Sequence, residues 1–204
     1  MTTVTSTGCH ELRGLSGQVG IVYEEEDMPQ QKAVLMRGAE AERLGDPPNM
    51  TWLIADAEHT NGIMNVVRTT LGAGVDGPPP HFHKESPEMF YLLDGALRIL
   101  AGDQIVTVEK GDYLLVPPLM PHAWGTPLEV GADVLIVKAP GNNRFDYFRL
   151  GDRIRRGQAE PAEVLATAEK FDNTFVDNEV WRHELAVREG ERQQFIPFPG
   201  TDVD

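Results

Sequence analysis

The chain has 204 residues, 41% of them apolar and 25% charged, with a formal net charge of -14. That length accommodates one domain with a substantial core, or a domain with an extension, and the composition argues against a disordered chain. The negative charge repels phosphate backbones and argues against nucleic acid as a partner.

Residues 1–17, MTTVTSTGCHELRGLSG, lack a clear hydrophobic period and read as a flexible arm. This arm carries Cys9, the one cysteine, read as an incidental exposed thiol. A single cysteine allows no internal disulfide, which fits a reducing, cytoplasmic setting. The opening residues show neither the basic start nor the apolar core of a secretory signal. QVGIVY (18–23) is a short strand closed by the acidic turn EEED (24–27). KAVLMRG (32–38) and MTWLIA (50–55) are further strand candidates on either side of the breaker GDPPN. GIMNVVRTTL (62–71) is β-branched and strand-like, and it ends at GAGVDGPPP (72–80).

From residue 88 onward short strands follow one another, punctuated by Gly, Asp or Pro about every eight to twelve residues. They are EMFYLLDG, ALRILAG, DQIVTVEKGD, YLLVPPLMP, HAWGT and ADVLIVKAPG. This spacing belongs to an antiparallel sandwich or barrel. After APGNN (139–143) the pattern turns helical: RFDYFRLGDRIRR, PAEVLATAEKF and VDNEVWRHELAVREGE are helix candidates, and FIPFPGTDVD is an extended tail. The expected organisation is an arm over 1–17, a β-barrel with its N-terminal strands over 18–140, and a helical extension over 141–204 that packs on the barrel. No run approaches the roughly 18 apolar residues of a membrane span.

The chemistry centres on HFHKESPEMF, residues 81–90. On a strand, residues i and i+2 share a face, so His81 and His83 project together, as two imidazoles on one metal must. Parity alone would add Glu85 to that face. Pro87 breaks the strand, however, because it lacks an N–H and fixes its own φ. KESP therefore reads as a turn, Glu88 opens the next strand as the acidic ligand, and Glu85 falls on the rim. His122 follows in a second block, GDYLLVPPLMPHAWGT. His59 and His183 have no partner at such spacing and read as surface or core residues.

Together HFHKESPEMFYLLDG and GDYLLVPPLMPHAWGT resemble the two motifs of the cupin superfamily. The first motif runs G-x5-H-x-H-x3/4-E-x6-G and the second G-x5-P-x-G-x2-H-x3-N. His81, His83, Glu88 and Gly95 meet the first motif, and Gly111, Pro117 and His122 meet the second. The departures are Val75 at the leading glycine (flanked by Gly74 and Gly77), Leu119 at the second glycine and Thr126 at the closing asparagine. The resemblance implies an all-β fold, a cupin-type antiparallel β jelly-roll barrel with a short helical C-terminal extension. It also implies a single divalent transition metal (Fe, Mn, Ni, Co, Cu or Zn) held by His81, His83, Glu88 and His122, a donor set that suits any of these ions.

By parity, Phe90 accompanies Glu88, and Trp124 and Thr126 accompany His122, toward the barrel interior. These three either wall a substrate pocket or are plain core, since small barrels are mostly filled by side chains. PPPHFHKESPEMFYLLDG, GDYLLVPPLMPHAW and the following APGNNRFDYFRLGD resemble the small bacterial quercetinase-like cupins. That likeness implies a metal-dependent dioxygenase for an aromatic or enol-type molecule, flavonol, polyphenol or polyketide-like. Glu88 would be its catalytic base and dioxygen its co-substrate. The alternatives are a non-oxidative cyclase, isomerase or lyase using the metal as Lewis acid, and a non-enzymatic small-molecule binder. A homodimer is the expected assembly.

Overall fold

The computed structural model describes residues 33–194, with side chains to 191, and the backbone of two strands that precede them. The chain forms two compact units, Met1–Leu35 and Met36–Asp204. In the first, β1 (Cys9–Arg13) pairs antiparallel with β2 (Val19–Tyr23). A strand thus lies inside the segment expected as an arm over 1–17. CHELR has no apolar alternation, so the sequence offers no period to read there. EEED and FIPFPGTDVD lie outside the described residues.

The second unit begins differently from expectation. Residues 33–37 are irregular and exposed rather than extended in a sheet. The strand lies further on, as β3 (Glu42–Asp46), which pairs with β4 (Asn49–Ala55) across Pro47–Pro48. Edge position explains the shift: β3 pairs only with β4 among the described strands, so ERLGD need not be apolar. A short helix, α1 (Ala57–Thr60), leads to β5 (Asn65–Leu71). Then come β6 (His81–Phe82), β7 (Glu88–Ala101), β8 (Gln104–Glu109), β9 (Tyr113–Val116), β10 (His122–Gly125) and β11 (Ala132–Lys138).

Every pairing among the described strands is antiparallel, and β7 takes part in two sheets. Its first half pairs with β9 and β11, continuing through β5 and β4 to β3. Its second half pairs with β8 and β10, and β10 pairs with β6. The strand changes sheets at Gly95, φ 74°, where a Cβ would stand 1.9 Å from the Gly131 carbonyl oxygen. Only glycine fits there. Between the sheets Leu53, Val67, Phe90, Leu92, Val134 and Ile136 meet Leu97, Ile99, Val108 and Trp124 in one core. The all-β, cupin-type jelly-roll layout expected from the sequence is the one observed.

Five C-terminal elements follow the last barrel strand among the described residues. α2 (Phe145–Arg155) is fixed by Asp56, whose buried carboxylate accepts from the Arg144 and Phe145 amides at 2.9 Å. A carboxylate at a helix N-terminus satisfies orphan donors and complements the helix dipole. PAEVLATAEKF does not form one helix. It divides into α3 (Ala162–Ala166) and a 3-10 turn (Glu169–Phe171). Thr167 causes the break by bonding its hydroxyl back to the Glu163 and Val164 carbonyls. A two-residue strand, β12 (Thr174–Phe175), pairs with β6, and α4 (Glu179–Gln194) follows. Trp181 of α4 is buried against Leu100 and Ala123. Buried Arg188 donates to the Thr126 carbonyl at 2.7 Å and to Asp76. Among the described residues no helix is long and apolar enough to cross a membrane.

Candidate metal centre

The sequence separates the four expected ligands by up to 41 positions, and the fold brings them together. His81 and His122 are register partners on β6 and β10. His83 follows β6, its backbone held by the Leu119 amide, which donates to its carbonyl at 2.7 Å. Glu88 opens β7, after a bend at Lys84 and Glu85. All four side chains are buried, and one donor atom from each lies within 4.8 Å of the others. Two donors about 2.1 Å from one ion stand at most about 4.2 Å apart, so shifts of a few tenths of an ångström bring the cluster onto one centre. Glu85 is exposed, as expected for the rim.

Backbone carbonyls set the tautomers. Nδ1 of His81 bonds to the Pro79 oxygen at 2.9 Å, that of His83 to the Asp172 oxygen at 2.6 Å, and that of His122 to the Met120 oxygen at 3.0 Å. A carbonyl can only accept, so each Nδ1 carries the proton and each Nε2 presents a lone pair. Nε2 of His122 then faces a Glu88 oxygen at 3.0 Å, and Nε2 of His83 faces the other at 3.6 Å. Lone pairs so opposed repel unless a cation lies among them. Nε2 of His83 has no hydrogen-bond partner, although it is buried. These observations fit a metal ion at this point.

The electrostatics agree. Burial, with the neighbouring His122, pushes the His81 imidazole down to about 3, and burial lowers His83 as well. Both rings are therefore neutral and competent as ligands. Burial raises the Glu88 carboxyl, but the neighbouring His122 and His83 outweigh it and hold the group well below the usual range. His81, His83 and an ionised Glu88 are thus ready donors, and Nε2 of His122 faces the same point.

A cavity of about 230 Å³ opens beside the cluster. His81 and Glu88 form its floor, and Trp124, Tyr147 and Phe148 are its aromatic walls. Of the three expected pocket residues, Trp124 is placed there. Phe90 lies behind the cluster, its ring 6.4 Å from both His122 and Trp124. Thr126 is not in the wall. Strand β10 ends at Gly125, so parity no longer governs the next side chain.

Thr126 has a different task, which involves both outer departures from the cupin motifs. Its hydroxyl donates to the Gly72 carbonyl at 2.7 Å and accepts from the Val75 amide at 2.9 Å. Its own amide returns to the Val75 carbonyl at 2.9 Å. Val75 and Thr126 thus replace the motif's Gly and Asn as one bonded pair. Leu119, the third departure, sits at φ 66°, the left-handed region that a glycine enters freely.

Two cations in the cavity wall went unforeseen. Lys138 ends β11 on the inward face of Ala132, Val134 and Ile136. Strict alternation in ADVLIVK carried that information. Burial, together with Arg144, pushes its ammonium down to about 7. Arg144 is buried, donates to the Phe171 carbonyl at 3.0 Å and to Asn173 at 3.2 Å, and stands 5.2 Å from the Tyr147 ring centre. No local pattern could reveal it, because its place depends on the distant cap at Asp56. His59 joins α1's capping box, and His183 is exposed on α4, so neither belongs to the site.

Residues 67–138 match a family model described as a cupin domain. The chain is 29% identical over 98 residues to a quercetin 2,3-dioxygenase of Bacillus subtilis, covering 48% of this chain and 29% of that protein. It is 32% identical over 72 residues to an oxidoreductase of Arthrobotrys oligospora, covering 34% of this chain and 28% of that one. The matches thus span less than a third of these curated relatives. Among solved structures, KdgF from Halomonas sp. aligns with a TM-score of 0.47 at 19% identity, over 57% of this chain and 99% of that one. The Streptomyces nucleoside dehydratase Pac13 aligns at 0.45 and 17%, over 56% and 88%.

Proposed function

We propose that this chain, whose residues 67–138 match a cupin domain, is a metal-dependent dioxygenase acting on a small aromatic or enol-type molecule. One observation carries the reading. Three tautomer-fixed imidazoles and an ionised carboxylate converge on one point, at the floor of an aromatic-walled cavity. The similarity to a quercetin 2,3-dioxygenase supports the oxidative choice.

A divalent transition metal bound by His81, His83, Glu88 and His122 would supply Lewis acidity and, if redox-active, a path for electrons to dioxygen. The protein supplies the rest. Trp124, Tyr147 and Phe148 bind a flat ring system and keep water from it. Glu88 takes the proton of the substrate's enol or phenol hydroxyl on a carboxylate oxygen, leaving the oxygen anionic. Hydrogen bonds through Nδ1 hold the imidazoles in place, so proton movement is confined to Glu88 and the substrate. α2, capped by Asp56, presents Tyr147 and Phe148 over the cavity and serves as its cover.

The test pairs elemental analysis of the purified protein with oxygen uptake on a panel of flavonols and small polyphenols. Stoichiometric redox-active metal with substrate-dependent oxygen uptake is the expected result. Zinc-loaded protein with undiminished anaerobic turnover would replace this reading with the non-oxidative, Lewis-acid one. We place the protein in the cytoplasm as a homodimer. The free edge of β3 among the described strands supports self-association, and a monomer by light scattering would contradict it.

A further inference from the structure

The cavity contains a buried amine without an acceptor. Lys138 is opposite Glu88 in the β11–β7 register, with its side chain 1% exposed. Nζ has no hydrogen-bond partner. Its nearest carboxylate, Asp172, stands 3.7 Å away, beyond hydrogen-bond reach. Asp172 is already engaged: its two oxygens accept from the Lys84 and Glu85 amides at 2.8 and 3.3 Å. Arg144 lines the same wall and is pinned by Phe171 and Asn173. An amine and a guanidinium therefore border the cavity, while Glu88 belongs to the candidate metal cluster.

A buried ammonium without an acceptor is unfavourable, so such a group is retained where a ligand completes it. We propose that Lys138 anchors a carboxylate of the substrate, making the molecule a small flat acid rather than a neutral phenol. This rests on the cavity being the substrate site. Two features select a carboxylate. The substrate's enol or phenol oxygen belongs beside Glu88, so the group at Lys138 is a second one. An oxygen anion that forms at neutral pH without a metal's help is a carboxylate. The size agrees: about 230 Å³ falls below the ~300 Å³ at which drug-sized pockets begin. One or two rings fit such a space.

The probes are 2-naphthoate and its neutral counterpart 2-naphthamide, titrated calorimetrically into cobalt(II)-loaded protein whose cobalt content is measured separately. The wild type is expected to bind the acid roughly tenfold tighter or more than the amide. Lys138→Met, close in length and neutral, should reduce that ratio below about threefold at unchanged cobalt content, and Lys138→Arg should restore part of it. A ratio that survives in Lys138→Met overturns the proposal, as does equal binding of the two probes by the wild type. Should Lys138→Met fail to fold, the ratio without cobalt decides. Its persistence in the wild type and loss in Lys138→Gln support Lys138, its persistence in both assigns it to Arg144 and overturns the proposal, and its collapse in the wild type assigns it to the metal and overturns the proposal. Protein that takes up no cobalt would overturn the metal reading alone, because the metal-free ratio still reports on Lys138.

Discussion

Replacing Asp172 with alanine tests how the centre is held in place. Asp172 has φ 53° and ψ 43°, in the left-handed region, where alanine costs about 1–2 kcal/mol. Its carboxylate accepts from the exposed amides of Lys84 and Glu85. Water partly replaces those bonds, for a loss of about 1 kcal/mol. It is also the anion 3.7 Å from buried Lys138, worth about 1 kcal/mol more. The total is roughly 3–4 kcal/mol, which for a chain of this size lowers Tm by about 6–15 °C. The main-chain oxygen of the same residue holds Nδ1 of His83 at 2.6 Å. Displacing such an outer partner typically weakens metal affinity about 10–100-fold. Asp172→Asn tolerates the left-handed backbone and keeps one acceptor oxygen, so it should show less than half of either effect. Thermal unfolding of metal-free protein reads the first quantity, and competition with a chelator reads the second. Wild-type metal affinity in Asp172→Ala would refute the reasoning, and so would equal impairment in the two variants.

Glu88→Ala should abolish metal retention and turnover, whereas Glu85→Ala, at an exposed position, should leave both intact. The reverse pattern in elemental analysis would overturn the assignment of the turn. Gly77→Ala should shift the indole of Trp124, since the new Cβ would stand 2.7 Å from two ring atoms. The expected cost is about 1–3 kcal/mol, together with weaker binding of aromatic ligands. Unchanged tryptophan emission would count against that contact. The metal-free protein should lose stability as pH falls. His81 is pushed down to about 3 in the fold from 6.5, so the unfolded chain binds the extra proton. Its contribution is complete above about pH 6.5 and declines toward pH 3, by at most about 1.4 kcal/mol per pH unit for this one group. Urea midpoints that stay flat between pH 6.5 and 4 would refute it.

The candidate ligands were legible from two local rules and one resemblance, the likeness to the cupin motifs supplying His122. Strand parity pairs His81 with His83, and Pro87 ends that strand so that Glu88 replaces Glu85. Trp124 followed from the same parity, but extending the rule one step past the end of β10 misplaced Thr126. Lys138 was readable in ADVLIVK, where alternation puts it on the inward face, yet a terminal lysine passes easily for a strand's polar end. Arg144, Tyr147 and Phe148 were not readable. Their position over the cavity comes from the Asp56 carboxylate 88 residues away in sequence from Arg144, a contact without local periodicity. β3 escaped because an edge strand faces no demand to alternate, while the apolar run KAVLM nearby offered a false substitute.

The exchange of β7 between sheets has a mechanical consequence. Glu88 belongs to the half of that strand laddered to β9 and β11, while His81 and His122 belong to the sheet of β6 and β10. An ion held by all of them is a rivet through both layers. Loading the site would clamp the two layers at the cavity mouth, and emptying it would let them breathe there. Amide exchange along β6 and the start of β7 would then slow together on metal addition, so that the candidate metal centre doubles as the clasp of the barrel.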